Sequence, residues 1–478
     1  MKKTILISIM LLLNYAEIFA FCGFYVAKAD ASLFNNKSQI ILVRDGNRNI
    51  ITMANDFKGN VKEFAMVVPV PVVLKKSDVR VVNKSLFDML DAYSAPRLVE
   101  YYDENPCHPK AEYEMSMSDA GRPSSMAIEE VKIKSNKSLG IKIEAEYTVG
   151  EYDIIILSAT QSDGLKQWLI MNDYKIPSTA NEVLEPYIKN NMKFFVVKVN
   201  LDNHSSSGFD YLRPIQISFN SDRFMLPLRL GMANASTDQE MLVYAFTRKG
   251  RIEAVNYRTI KIPTDRNIPV FVKEKFNKFY VDLFNKSYKE NGKNAVFLEY
   301  AWNVSPVNNI KCDPCVSQPP VFAEFKEAGV DWANDFSTNS DVFFTRLHVR
   351  YSRNKFPQDL VFQVTPNREN FQARYILTHP AQGDLTCSQG QAYLRNLVYR
   401  RQNEIDELAS LTNWNISGYD WYVKRYSVHL DDQYEENTFL VISRFFDNMS
   451  GNSNLLFSLF FVFLMMIAFI LARIKSAV

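Results

Sequence analysis

The chain has 478 residues and a formal net charge of +2, with 55 Lys and Arg against 53 Asp and Glu. This near balance, without a basic stretch interleaved with aromatic residues, argues against a nucleic-acid partner. The counts of 34 Phe, 24 Tyr and only 16 Gly are typical of an ordered, β-rich globular protein.

The N-terminus has the pattern of a secretory signal peptide over residues 1–20. Two lysines follow the first methionine, Ile5–Leu13 is a short apolar run, and Ala20 is a small residue at the expected cleavage point. The run is too short to cross a bilayer, which takes ~20 residues. Lipidation of Cys22 is the alternative, but that processing favours a small residue where the chain has Phe21.

Residues 21–111 are predicted to be a β-rich N-terminal part of the ectodomain. Its Asp45-Gly46 pair, between β-branched runs, is a strong hairpin turn signal. Pro69 and Pro71 must end their strand or confine it to a sheet edge. In chain order, the predicted elements are a hairpin over 38–56, a buried strand over 63–74 and a helix over 83–95.

Residues 112–137 lose this periodicity and mix Ser, Gly, Pro and charge, which predicts a linker or mobile loop. The main part of the ectodomain then follows over 138–447. Its predicted elements are a hairpin over 141–159, helices over 164–174, 272–290 and 389–414, and strands over 192–201, 215–220, 241–260, 294–302, 343–352, 359–365, 370–379 and 418–430.

Strands and helices alternate without a regular βαβ repeat, which predicts the α+β class. We expect antiparallel hairpins and a few packed helices. The ectodomain, at roughly 430 residues, exceeds the ~250–300 residues of a single core, so two or more subdomains are expected.

The C-terminus carries the pattern of a transmembrane helix over residues 455–472. This stretch is uncharged, and at ~1.5 Å per residue it reaches about 27 Å, close to the thickness of a hydrocarbon core. Arg473 and Lys475 follow it and mark a cytoplasmic tail over 473–478. The two ends together predict a single-pass membrane protein with a periplasmic or extracellular ectodomain.

The segment KCDPCVSQPP, residues 311–320, has the spacing of a redox-active cysteine pair at Cys312 and Cys315. Redox enzymes place such a pair at a helix N-terminus, but Pro319-Pro320 would break that helix. A zinc site would need a second cysteine pair at suitable spacing. In an oxidising compartment two close thiols form a disulfide, so a structural disulfide is favoured over the redox and metal alternatives.

The remaining cysteines, Cys22, Cys107 and Cys387, are isolated in the sequence. Cys107 and Cys387 are candidates to pair with each other, or one of them with Cys22. His348 lies in a predicted strand and His379 ends one, which permits a shared site near Cys387, although such histidines are usually structural. We therefore assign no catalytic, cofactor-binding or metal-binding residue.

Several long blocks of the sequence resemble one bacterial family. They are FCGFYVAKADASLFNNKSQIILVRDG, ITMANDFKGNVKEFAMVVPVPV, DAYSAPRLVEYYDENPC, KCDPC and LVFQVTPNRENFQARYILTHP. The chain resembles the domain-of-unknown-function family 2330, which implies an exported bacterial protein, often with a C-terminal membrane anchor. The resemblance implies no activity.

Two functional hypotheses follow. The first is a membrane-anchored binding or scaffold module of the cell envelope, without enzymatic activity, whose partners are the membrane and an envelope protein or glycan. The alternative is a thiol-redox or metal-dependent envelope enzyme that uses Cys312 and Cys315, with His379 as a further candidate group.

Overall fold

The computed structural model describes eleven stretches of the chain, and every statement about the structure concerns these residues. They are 24–25, 34–35, 38–54, 57–58, 65–108, 140–172, 180–206, 211–233, 238–305, 318–333 and 341–424. The mixture of sheets and helices confirms the α+β class.

The strands and helices are numbered in chain order. The strands are β1 (Phe24–Tyr25), β2 (Phe34–Asn35), β3 (Ser38–Asp45), β4 (Arg48–Ala54), β5 (Phe57–Lys58), β6 (Ala65–Val70), β7 (Val79–Val81), β8 (Arg97–Tyr102), β9 (Ile141–Val149), β10 (Tyr152–Ala159), β11 (Lys193–Val199), β12 (Ile215–Asn220), β13 (Met225–Leu226), β14 (Gln239–Thr247), β15 (Ile252–Ala254), β16 (Arg258–Lys261), β17 (Arg266–Asn267), β18 (Ala295–Asn303), β19 (Phe343–Tyr351), β20 (Leu360–Val364), β21 (Phe371–Gln372) and β22 (Arg374–His379). The helices are α1 (Ser85–Ser94), α2 (Ser162–Met171), α3 (Ala180–Lys189), α4 (Leu201–Ser206), α5 (Phe276–Glu290), α6 (Phe322–Ala328), α7 (Ser388–Thr412) and α8 (Asp420–Lys424).

The largest sheet has nine strands. Eight of them run in the order β16-β18-β19-β14-β3-β4-β12-β7, and β21 pairs with β18 beside this path. The predicted first hairpin forms its centre, since β3 and β4 pair from Gln39–Ala54 to Asp45–Arg48 around Gly46. Gly46 has a φ of +56°, which a residue without a Cβ adopts readily. Pairs β14–β3 and β16–β18 are parallel, so the sheet is mixed.

A second sheet has five antiparallel strands in the order β1-β6-β11-β10-β9. The predicted hairpin over 141–159 supplies β9 and β10, and β6 ends at Val70, directly before Pro71. Helices α2 and α3 contribute Leu165, Leu169, Leu184 and Tyr187 to the apolar core of this sheet. Tyr187 thereby has its ring fixed in the core while its hydroxyl is available for other contacts.

A third, small sheet has the order β13-β20-β15, and both of its pairs are antiparallel. Its middle strand, β20, lies within the strand predicted over 359–365. The strands on either side arrive from distant parts of the sequence. This sheet positions the candidate site.

The chain divides into two compact units. The described residues within 1–99, 115–266 and 272–376 form the first unit, and those within 100–114, 267–271 and 377–478 form the second. The first unit contains the three sheets described above, and strands from both sides of the predicted linker share its two larger sheets. The linker itself lies outside the described residues. The second unit contains α7, α8 and a disulfide.

One predicted strand, over 418–430, is wrong in the part that the structure describes. Residues 418–430 were expected to form a strand, but α8 is a helix over Asp420–Lys424. The hydroxyl of Tyr422 donates to buried Glu404 of α7 at 2.7 Å, and this tertiary contact outweighs the local β propensity of the aromatic residues. Helices α3, α4 and α6 were not predicted.

No helix among the described residues is long and apolar enough to cross a membrane. The predicted signal peptide over 1–20 and the predicted span over 455–472 both lie outside those residues.

Candidate functional site

A cleft of about 380 Å³ in the first unit combines polar and apolar side chains. The volume lies within the ~300–1,000 Å³ of ligand sites, which are mostly apolar with a few convergent polar groups. The residues that line it are Pro186, Tyr187, Asn190, Met192, Asp222, Arg223, Phe224, Met225, Arg229, Asn256, Gln358, Asp359, Val361 and Phe362.

Three segments bring the polar groups of the cleft together. Helix α3 supplies Tyr187, the turn after β13 supplies Arg229, and Asp359 stands directly before β20. The antiparallel pairing of β13 with β20 places Leu226 opposite Leu360, so the residues just beyond these positions meet at one end of the pair. The small sheet therefore fixes the distance between Arg229 and Asp359.

Asp359 is held by three hydrogen bonds to one of its carboxylate oxygens. Oδ1 accepts from the hydroxyl of Tyr187 at 2.7 Å and from the backbone N–H groups of Leu228 at 2.8 Å and Arg229 at 3.2 Å. The side-chain amide of Asn256 also donates to the Asp359 carbonyl at 2.8 Å. The carboxylate is consequently fixed before any ligand arrives.

The second carboxylate oxygen of Asp359 and the neighbouring guanidinium of Arg229 are less fully hydrogen-bonded than Oδ1. Arg229 Nε lies 4.0 Å from Asp359 Oδ2, which is an ion-pair distance but too long for a hydrogen bond. Within the described parts of the chain, Arg229 Nε is buried without a hydrogen-bond partner. An acceptor and a donor thus lie across a 4.0 Å gap beside the cleft, with Arg229 Nε itself closed to solvent.

Burial raises the pKa of Asp359 above its ordinary value of 3.8, and this outweighs the opposite effect of the hydrogen bonds from Tyr187 and the Arg229 backbone. Burial likewise raises the pKa of Tyr187 well above 10.0, with the nearby Asp359 carboxylate adding to the effect. The phenol therefore stays a hydrogen-bond donor at neutral pH.

The floor of the cleft is partly aromatic. The rings of Phe224 and Phe362 lie 5.5 Å apart at an interplanar angle of 49°, and both side chains are buried. Asn190, Arg223 and Gln358 lie at the exposed rim. The cleft therefore joins an apolar floor to a polar rim, an arrangement suited to recognition of a small ligand.

The structure joins Cys107 and Cys387, one of the pairings that the sequence left open. Their Cα atoms lie 5.9 Å apart, and both residues belong to the second unit. Cys22, Cys312 and Cys315 lie outside the described residues. The thiol-redox alternative and the predicted Cys312–Cys315 disulfide therefore stay predictions.

The structure places His348 and His379 in two separate settings. His348 Nδ1 lies 2.8 Å from buried Glu299 Oε1, and the histidine ring stacks on Phe284 at 3.9 Å. His379 Nε2 lies 2.8 Å from Glu100 Oε2, and its ring stacks on Tyr102 at 4.4 Å. Within the described residues, no group of three or more His, Cys, Asp or Glu side chains is arranged to hold a metal ion.

Sequence reasoning missed Asp359 and Arg229 as site residues. Their separation by 130 positions hides the pair from any spacing rule. One feature of the sequence could have identified Arg229, because this residue interrupts the apolar stretch Leu226–Leu230. A charged side chain within an apolar run usually needs a partner or points to a site.

The fold and the cleft define an α+β protein built on a mixed nine-stranded sheet, with a polar-lined cleft beside a smaller sheet. The chain belongs to the family described as "Uncharacterized protein conserved in bacteria (DUF2330)", whose profile matches residues 16–363, and this confirms the resemblance seen in the sequence. The match includes every residue that lines the cleft. No curated protein and no solved structure matches the chain.

Proposed function

We propose that the chain is a membrane-anchored, extracytoplasmic binding module of the bacterial cell envelope, with the Asp359–Arg229 cleft as its binding site. The observation that carries the binding role is the preorganised, incompletely satisfied pair at 4.0 Å in that cleft. A carboxylate already fixed by Tyr187 and two backbone amides loses little freedom on binding, which favours affinity.

Two further features support the envelope location. The Cys107–Cys387 disulfide is of the kind that persists in oxidising compartments. The sequence patterns over 1–20 and 455–472 are those of a secreted protein with a C-terminal anchor. The bacterial family is consistent with an envelope in which the ectodomain would face the periplasm or the exterior.

The binding role is tested by capture from envelope extracts. Immobilised full-length protein should retain an envelope component, and Arg229→Met and Asp359→Asn should each retain at least about 10-fold less, because a lost hydrogen bond to a charged group costs ~1.5–3 kcal/mol. Mass spectrometry of the eluates measures the difference.

A matched control is available in the same unit. Arg368 and Asp341 form an ion pair at 2.8 Å that does not line the cleft. Arg368→Met and Asp341→Asn should retain as much material as the wild type. Equal capture by the cleft variants and the wild type, or turnover of the captured component, would refute the binding role of the cleft.

A further inference from the structure

We infer that the cleft binds a neutral carbohydrate, either a free sugar or the end of a glycan chain. The inference rests on the proposed binding function and names the class of ligand. Three properties of the cleft lead to it: the geometry of the Asp359–Arg229 gap, the balance of charge, and the apolar floor.

The gap fits a hydroxyl group. Asp359 Oδ2 accepts hydrogen bonds and Arg229 Nε donates one, and the two atoms lie 4.0 Å apart. Nε itself is closed to solvent, but the Arg229 and Asp359 side chains are 25% and 12% exposed, so one ligand oxygen can contact the guanidinium and the carboxylate together. It must accept from Arg229 and donate to Asp359 at once, and a hydroxyl does both. A carboxylate or phosphate oxygen would accept from Arg229 but repel Asp359.

The charges that line the cleft balance. Arg223 and Arg229 bring two positive charges, and Asp222 and Asp359 bring two negative charges. An anion would be attracted by the arginines and repelled by the aspartates. A cation would be attracted by the aspartates and repelled by the arginines. A ligand with many hydroxyl groups and no charge avoids this opposition.

The rim and the floor fit the remaining surface of a sugar ring. At the rim, the carboxamide of Asn190 donates to the Pro186 carbonyl and that of Gln358 accepts from Asn256, which leaves the Asn190 oxygen and the Gln358 amide group for a ligand. The floor includes Met192, Phe224 and Phe362, which suit the C–H face of a pyranose. A volume of about 380 Å³ is near the lower end of ligand sites, which favours one or two sugar rings.

The test is titration of the full-length protein with defined probes, followed by saturation-transfer NMR and calorimetry. The neutral probes are glucose, N-acetylglucosamine, maltose and cellobiose. The charged probes are glucuronic acid, inorganic phosphate and spermidine. At least one neutral sugar should bind, and Arg229→Met and Asp359→Asn should each weaken it by about 10-fold or more, while Arg368→Met leaves it unchanged. Circular dichroism checks that each variant is folded.

The different probes distinguish a free sugar from the end of a glycan chain. They also distinguish a failure of the carbohydrate inference from a failure of the proposed function. Binding of a monosaccharide supports a free sugar, whereas binding of only the disaccharides supports a glycan end. If phosphate, glucuronic acid or spermidine binds through Arg229 or Asp359 and no neutral sugar does, the carbohydrate inference is wrong and the cleft still binds a ligand. If no probe binds and the cleft variants capture the same envelope material as the wild type, the proposed function fails as well.

Discussion

Glu299→Gln is expected to lower the free energy of unfolding by about 3–5 kcal/mol, the range for removing one partner of a buried ion pair. Glu299 is fully buried, and its carboxylate accepts from Arg346 Nε at 2.6 Å and from the hydroxyl of Tyr280. The variant would leave the guanidinium of Arg346, itself 4% exposed, without its buried counter-charge. Denaturant unfolding of the full-length protein at neutral pH measures the effect.

A surface pair supplies the matched control. Glu182 and Arg353 also form an ion pair, but their side chains are 73% and 42% exposed. Glu182→Gln should therefore leave the free energy of unfolding nearly unchanged. Combining Glu299→Gln with Arg346→Met should recover part of the loss, because it removes a buried guanidinium whose remaining counter-charge is the half-exposed Asp91 at 2.7 Å. Equal losses from Glu299→Gln and Glu182→Gln would show that the buried pair has no special role.

The same carboxylate has a predicted pH signature. Burial alone would raise the pKa of Glu299, but the charges of His348 and Arg346 outweigh it and hold the pKa below the ordinary value of 4.5. A carboxylate with a lowered pKa in the folded state stabilises the protein above the ordinary pKa and loses that contribution as the pH falls. The wild type should thus lose stability below about pH 4.5 more steeply than Glu299→Gln.

Removal of the Cys107–Cys387 disulfide should cost about 2–5 kcal/mol, because it closes a loop with a sequence separation of 280 residues. The double variant Cys107→Ser/Cys387→Ser should show this loss in denaturant unfolding. The control is Cys312→Ser/Cys315→Ser, for which a short loop predicts a smaller loss of about 1–3 kcal/mol at most. Peptide mapping without reductant should find the Cys107–Cys387 link, and its absence would contradict the pairing seen in the structure.

Local patterns in the sequence predicted the elements that depend on local structure. The β3–β4 hairpin follows from two β-branched runs around Asp45-Gly46, and α7 was expected over 389–414 and spans Ser388–Thr412. The parallel pairing of β14 with β3 could not be predicted in this way, because it joins strands some 200 residues apart and depends on packing rather than on a turn.

The candidate site could not be predicted from local sequence patterns for the same reason. Asp359, Arg229 and Tyr187 come from three distant segments, and none of them stands in a motif. Their meeting depends on the β13–β20 pairing and on a helix, α3, that was not predicted and that contains Pro186. The Cys312–Cys315 motif lies outside the described residues. The candidate site in the structure is formed instead by Asp359 and Arg229, beside the small sheet.

The proposed anchor can be removed by substitution. Phe463→Arg combined with Met466→Arg should release the protein from membranes, since each charge near the centre of a transmembrane helix costs about 2.5–3.5 kcal/mol on insertion scales. Membrane retention of this double variant would mean a different anchor, such as lipid on Cys22.

Topology tests the central claim most directly, because an exported ectodomain underlies both the disulfide and an envelope ligand. A reporter that is active only outside the cytoplasm is fused after Asn448 in one fusion protein and after Val478 in a second. The proposed orientation predicts activity from the first fusion and none from the second. Activity from the second fusion alone, or from neither, would contradict a membrane-anchored extracytoplasmic module.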